Sequence, residues 1–122
     1  MKFLLITHLD EKAWLALGET EQSRVMAGGM KYTEQLMASG KFIGGAPLHP
    51  TAAAATLRVR NGQTLKTDGP FAETREQVGG YALIEARDRE EAIAIAGGFL
   101  GPESPGAIEV RAVAEMQGVP TH

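Results

Sequence analysis

The chain has 122 residues, which fits one domain large enough to bury a core without disulfides or metals. Hydrophobic residues at 43% and charged residues at 22% describe an ordinary globular protein rather than a disordered one. The net charge of −3 and the lack of any Lys/Arg cluster argue against nucleic acid as a partner, and the absence of cysteine excludes disulfides, thiolate nucleophiles and thiolate metal sites.

Lys2 to Leu9 is short and rich in Phe, Leu and Ile, the pattern of a buried strand ending in Thr7-His8. Its apolar run is too short for a signal peptide or a membrane span, so no membrane partner and a cytoplasmic location are expected. A first helix is predicted from about Thr20 to Ser39. Met26, Met30, Thr33 and Met37 recur at helical spacing as its buried stripe, widened by Val25, Tyr32 and Leu36. Gly28-Gly29 in its interior costs about 1 kcal/mol per glycine relative to alanine, which suggests a close approach to the sheet or else a kink. Gly40 reads as the helix C-cap, followed by a strand over Lys41 to Ala46 and by His49 in a stiff loop between Pro47 and Pro50.

Thr56 to Arg60 and Gln63 to Thr67 flank Asn61-Gly62, a strong hairpin signal. A two-residue loop pairs Arg60 with Gln63. A three-residue loop pairs Val59 with Gln63 and is preferred, because it gathers Leu57, Val59 and Leu65 on one face and leaves Arg58, Thr64 and Lys66 on the other. Gly79-Gly80 opens a strand over Tyr81 to Ala86. Asp88 with Glu91 resembles a capping box before a helix expected to bury Ile93, Ala96 and Leu100 and to stop at Gly101-Pro102. Ala107 to Ala114 closes the chain as a strand with Ile108 and Val110 facing one way and Glu109, Arg111 and Val113 the other.

The order β-α-β-β-β-β-α-β predicts an α+β fold, a ferredoxin-like sandwich carrying an extra β-hairpin, over residues 1–116 with a loose tail at 117–122. Two helices cover only one face of such a sheet. A homodimer with sheets facing across a shared cavity is therefore expected, against the alternative of a monomer with a sparsely covered sheet.

Asp68-Gly69-Pro70-Phe71-Ala72-Glu73-Thr74 is the densest stretch of the chain, with two acids, an aromatic and two backbone-restricting residues. Asp68 sits at a stiff corner. Its carboxylate either accepts local N–H groups in an Asx-turn or faces a cavity and handles a proton. His8 is the histidine placed to reach the cavity from another element, as a general base or as a bonded structural group. Arg58 is a carboxylate anchor if its face lines the cavity and a solvent-facing charge otherwise. Phe71 and Trp14 read as core or dimer contacts ahead of stacking platforms, while Glu73 and Glu76 serve the turn first and a pocket second. His49 reads as a surface-loop residue and His122 as a disordered terminus. His8, His49, Asp68 and Glu73 follow no metal-ligand spacing, and no glycine pair forms a phosphate loop, so neither metal nor cofactor is expected.

Several of these motifs together resemble the DGPF-domain branch of the YCII-related proteins. They are the first strand followed by Trp14, Ala38-Ser39-Gly40, Arg58-Val59-Arg60-Asn61-Gly62, the run from Asp68 to Thr74, Glu76-Gln77-Val78-Gly79-Gly80-Tyr81 and Gly106-Ala107-Ile108-Glu109-Val110-Arg111. The resemblance implies a dimeric α+β barrel. In the wider family an Asp-His pair has been proposed as acid and base, with a dehydrochlorinase-type lyase among its members. Some DGPF members lie beside extracytoplasmic-function sigma factors. This chain departs from the wider pattern at two places: Gln22 to Ser39 contains no histidine, and Gly69 is inserted between the Asp and the Pro of the motif. The resulting expectation is a cavity near Asp68, Phe71 and His8 that binds a compact polar or acidic ligand, with cofactor-free lyase or isomerase chemistry if a reaction is run. The alternative is a non-catalytic regulatory module acting with a sigma factor.

Overall fold

A computed structural model describes residues 1–101 and 106–120. The elements are β1 (Lys2–Asp10), α1 (Glu11–Ala16), α2 (Glu19–Ala38), β2 (Phe42–Pro47), β3 (Ala55–Arg60), β4 (Gln63–Asp68), β5 (Glu76–Glu85), α3 (Arg89–Gly98) and β6 (Gly106–Ala112). β2, β5, β1 and β6 lie side by side in that order as a four-stranded sheet with every neighbouring pair antiparallel. β3 and β4 form a separate two-stranded hairpin. The α+β architecture expected from the alternation of short apolar strands with helical stripes is thus present. α1 was not anticipated. Asp10 starts it as N-cap, accepting the Ala13 N–H at 3.1 Å, with Glu11 in the first turn favoured by the helix dipole.

Alternation along β1 puts Phe3 and Leu5 on one face, where they meet Ala82, Ile84 and Ala86 of the β5 segment and Ile108 and Val110 of β6. α2 and α3 close this face with Leu36, Ala92, Ile95 and Ala96. Phe3, Leu5 and Ile84 are the large side chains with essentially no exposure, each stabilising the fold by about 1.5–3 kcal/mol through burial.

Both helices pack on a neighbouring stripe to the one expected. On α2 the packed face is Leu36 with half-buried Val25, Tyr32 and Thr33, while Met26, Met30 and Met37 are exposed. The flank of the sequence stripe won because Tyr32 has a specific berth there. Its hydroxyl donates to the Ile95 carbonyl at 2.7 Å, and its ring meets Phe99 edge-on at 4.8 Å. On α3 the buried residues are Ala92, Ile95 and Ala96, whereas Ile93 and Leu100 are exposed. Asp88 caps this helix through the Glu91 N–H at 2.8 Å, but Glu91 returns its carboxylate to the Arg87 N–H at 3.0 Å, one residue before the position a capping box uses. α3 ends at Gly98, earlier than the Gly101-Pro102 stop, and Pro102 lies outside the described residues.

The close approach expected at Gly28-Gly29 does not occur: α2 runs through both, and nothing lies within 4 Å of a Cβ built on either. It occurs instead at Gly98, where a Cβ would run into the Tyr32 ring. Gly40 does end α2, with φ +73°. Its N–H donates to the Met37 carbonyl at 3.1 Å and the Lys41 N–H to the Leu36 carbonyl at 2.9 Å, the two bonds of a Schellman motif.

The hairpin register is also corrected. Arg60 faces Gln63 and Arg58 faces Leu65, with Asn61 and Gly62 at φ 51° and 75° in a two-residue type I′ loop. Leu57 and Val59 therefore share a face with Thr64 and Lys66, and Leu65 lies beside Arg58. A hairpin packed on no core has no buried face to dictate its register, so the turn chemistry of Asn-Gly decides it.

Candidate functional site

The face of the sheet opposite the helices is open. Leu4, Ile6 and His8 alternate outward from β1; Leu83, Tyr81 and Val78 lie beside them on β5, and Arg111, Glu109 and Ala107 on β6. Tyr81 and Val78 are exposed, while Leu4, Ile6 and Leu83 are half-buried. At His8 the pairing with β5 shifts: Thr7 faces Gly80 but His8 faces Val78, leaving Gly79 as the extra residue of a bulge. Such a bulge re-aims the side chains next to it. The Gly79-Gly80 pair fits the crowding, since a Cβ at Gly79 would stand 3.1 Å from that of Leu9 and one at Gly80 3.1 Å from the Ala46 carbonyl oxygen.

His8 Nε2 lies 3.0 Å from Glu109 Oε1, and the other Glu109 oxygen faces Arg111 Nε at 3.9 Å. An ionised carboxylate can only accept, so the hydrogen of this bond is on Nε2, and Glu109 fixes the orientation of the ring with Nδ1 turned away from it. By sequence, Glu109 has no site role beyond its place with Arg111 and Val113 on the face of the last strand opposite Ile108 and Val110. Its partnership spans 101 residues of sequence, but parity held the signal: the outward set of β1 ends in His8, and the outward set of β6 includes Glu109.

Asp68 ends β4 opposite Ala55, with its side chain 84% exposed and Lys66 Nζ at 3.4 Å. The Asx-turn reading fails. The corner is held by backbone, with the Gly69 N–H donating to the Ala54 carbonyl at 2.7 Å and Thr56 Oγ1 to the Gly69 carbonyl at 3.0 Å. Gly69, at φ +113°, adopts the left-handed geometry that a side chain would strain. The Asp68 carboxylate is therefore free of its own turn, but no hydrogen bond or ion pair joins it to His8 within one chain. Arg58 and Phe71 do meet: the guanidinium carbon sits 4.9 Å from the centre of the ring, a cation–π pair with Phe71 74% exposed. Glu73 is exposed, and among the described residues neither a side-chain hydrogen bond nor an ion pair reaches it.

The loop after the motif is organised by Gln77, to which the sequence assigned no role of its own. Its amide donates to the carbonyls of Ala72 at 2.7 Å and Thr74 at 3.0 Å, and Thr74 Oγ1 donates to the Glu76 carbonyl at 2.6 Å. Arg75 Nε holds Asp10 at 2.9 Å. The Ala13 N–H first and Arg75 second keep the Asp10 carboxyl below its ordinary value. Glu11 grips Thr51 through its N–H at 2.9 Å and its hydroxyl at 2.7 Å, tying the entry of the hairpin segment to α1. Trp14 is half-buried and accepts Gln22 Nε2 on its carbonyl at 2.9 Å; His49 is exposed in its loop, and His122 lies outside the described residues.

Two surface depressions, of about 360 and 350 Å³, are lined by neither His8 nor a residue of the hairpin strands. One is lined by Asp10, Ala13, Arg75 and Glu76, the other by residues that include Met1, Lys41, Arg87 and Glu91. Among the described residues no three His, Cys, Asp or Glu side chains converge as metal ligands, and no helix is long and apolar enough to cross a membrane.

Fold and site together define a small α+β protein with one helix-covered sheet face, one open face bearing a carboxylate-held histidine, and an inserted hairpin. The family described as the YCII-related domain matches residues 1–117, and the chain belongs to that family. It is also similar to a protein of Rhizobium meliloti (strain 1021) named "Uncharacterized protein R00369", with 37% identity over 115 residues and 93% of each chain covered.

Proposed function

We propose that this YCII-related protein is a cytoplasmic homodimer that binds a compact polar or acidic small molecule between two facing sheets, each a ferredoxin-like half of a dimeric α+β barrel. The observation that carries this reading is the open sheet face, on which the outward side chains of β1 and β5 are mostly apolar and end in the His8–Glu109 pair. A second copy removes that apolar surface from water and encloses the histidine. The chemistry such a site suits is acid–base catalysis without a cofactor. His8 Nδ1 takes a proton from a carbon made acidic by an adjacent carboxylate or carbonyl, and Glu109 stabilises the imidazolium that forms. The electron pair left on carbon then forms a double bond as a neighbouring group departs, or collects a proton one position along; these are the lyase and isomerase outcomes.

The test is a titration of small mono- and dicarboxylates, including β-substituted ones, into the uniformly ¹⁵N-labelled protein. Saturable shifts confined to Ile6, His8, Tyr81 and Glu109, abolished by His8→Ala in a folded variant, are the expected result. No response from the whole panel, or one that His8→Ala leaves unchanged, refutes the assignment and moves the regulatory, sigma-factor reading ahead.

A further inference from the structure

The β3–β4 hairpin is the part of the molecule that its own chain does least to hold. Its strands pair only with each other. Leu57 and Val59 on one face and Leu65 on the other are all exposed, at 66%, 72% and 45%. A lone two-stranded ribbon is marginal in water, and apolar side chains on both faces add to that cost. Yet its root is well built, through the Gly69–Ala54 and Thr56–Gly69 bonds and the Glu11 clamp on Thr51. A rigid root under an unsupported ribbon suits an arm that finds its packing elsewhere.

Two further observations say where. The root lies at the His8 end of the sheet: the chain leaves β2 at Pro47, opposite Gly80, and rejoins β5 at Glu76, opposite Asp10. The arm is also basic, with Arg58, Arg60 and Lys66 against Asp68 alone, in a chain of net charge −3. The His8 end of the open face offers the complement in Glu76 and in Glu109, which already holds His8 at 3.0 Å and faces Arg111 at 3.9 Å, with Asp10 occupied by Arg75. The geometry points to a second copy of this chain as the occupant: each hairpin lies over the open face of the other copy and carries Arg58 and Phe71, on the face it shares with Leu65, to the partner's His8 and Glu109. The site is then composite and incomplete in a single chain. Arg58 offers its planar fork to a ligand carboxylate, and Phe71 backs the guanidinium and excludes water; Asp68, on the opposite face of the ribbon beside Lys66, stays outside the site. This inference rests on the proposed dimer and goes beyond it in assigning half of each site to the other chain.

The absence of cysteine makes the test clean, since one introduced thiol is unique. A nitroxide is attached to Thr64→Cys on unlabelled protein, with Gln63→Cys as a second position. This protein is refolded in several-fold excess over ¹⁵N-labelled wild type, so that most labelled chains have a nitroxide-bearing partner and only the other copy reports. Loss of more than half the amide intensity at Ile6, His8, Tyr81 and Glu109 is expected, with no such loss when the nitroxide sits at Glu90→Cys on α3. Full intensity at those amides in a sample that sediments as a dimer overturns the arm while leaving the dimer intact. A sample that sediments as a monomer overturns both.

Discussion

Replacing Gly98 by alanine should destabilise the protein even though alanine is the better helix former. A Cβ at this position would run into the Tyr32 ring, which is held at one end by the Ile95 carbonyl and along its edge by Phe99. Moving the ring forfeits a hydrogen bond with a net value of about 0.5–1.5 kcal/mol and an edge-to-face contact of similar worth, about 0.5–1.5 kcal/mol. The gain in helix propensity, at most about 1 kcal/mol and less at the final helical residue, offsets part of this. A net loss of about 1–2 kcal/mol follows, or roughly 4–8 °C in Tm for a domain of this size. Gly28→Ala is the control. That position is open, so alanine should stabilise by about 0.4–1 kcal/mol. Urea titrations read both at constant m-value. In a Tyr32→Ala background Gly98→Ala should lose its penalty, because the clash has gone. Equal stability of the two glycine variants, or a penalty that survives Tyr32→Ala, would refute the reasoning.

Leu5→Ala should cost about 2–5 kcal/mol in the same assay, as a fully buried leucine in a packed core, while Met30→Ala on the exposed stripe of α2 should stay within about 0.5 kcal/mol. Asp10 and Glu91 both have carboxyls held low, Asp10 by the Ala13 N–H and Arg75, Glu91 by the Arg87 N–H and Lys41. Their stabilisation is complete above the unfolded carboxylate value, about 4, and is lost as pH falls through the lower folded values. Thermal melts of Asp10→Asn and Glu91→Gln should therefore show a shallower acid decline than wild type. Burial raises the Tyr32 hydroxyl above its ordinary value, so its stabilisation, intact below pH 10, should fade as pH rises further, and Tyr32→Phe should remove that alkaline loss. Asn61→Ala should weaken the hairpin through its positive φ, seen as faster amide exchange in β3 and β4 with the main sheet unchanged.

Local chemistry was legible in the sequence wherever it was decided locally. Asn61-Gly62 located the hairpin, Gly40 the end of α2, Asp88 the start of α3, and the period-two runs their strands. The errors came where two local solutions were equally good and a distant contact chose between them. Methionines and the Leu36–Tyr32 flank are adjacent stripes of one helix, and only the Ile95 carbonyl and Phe99, far along the chain, favour the second. The hairpin register was argued from a core face the ribbon does not have. At the candidate site, His8 was expected to reach a cavity beside Asp68; in the single chain it lies on the open face, and the carboxylate beside it is Glu109. That pairing depends on β1 and β6 being neighbours, a property of topology and not of any short motif.

The central claim is that the open sheet face, not the helices, joins two copies of this chain. Sedimentation velocity on the wild type and on Ile6→Arg tests it most directly, because Ile6 lies at the middle of that face between Tyr81 and Glu109. The account expects the wild type to sediment at twice the 13.0 kDa chain mass and Ile6→Arg to fall to a folded monomer. A monomeric wild type, or a dimer indifferent to an arginine at that position, would contradict it.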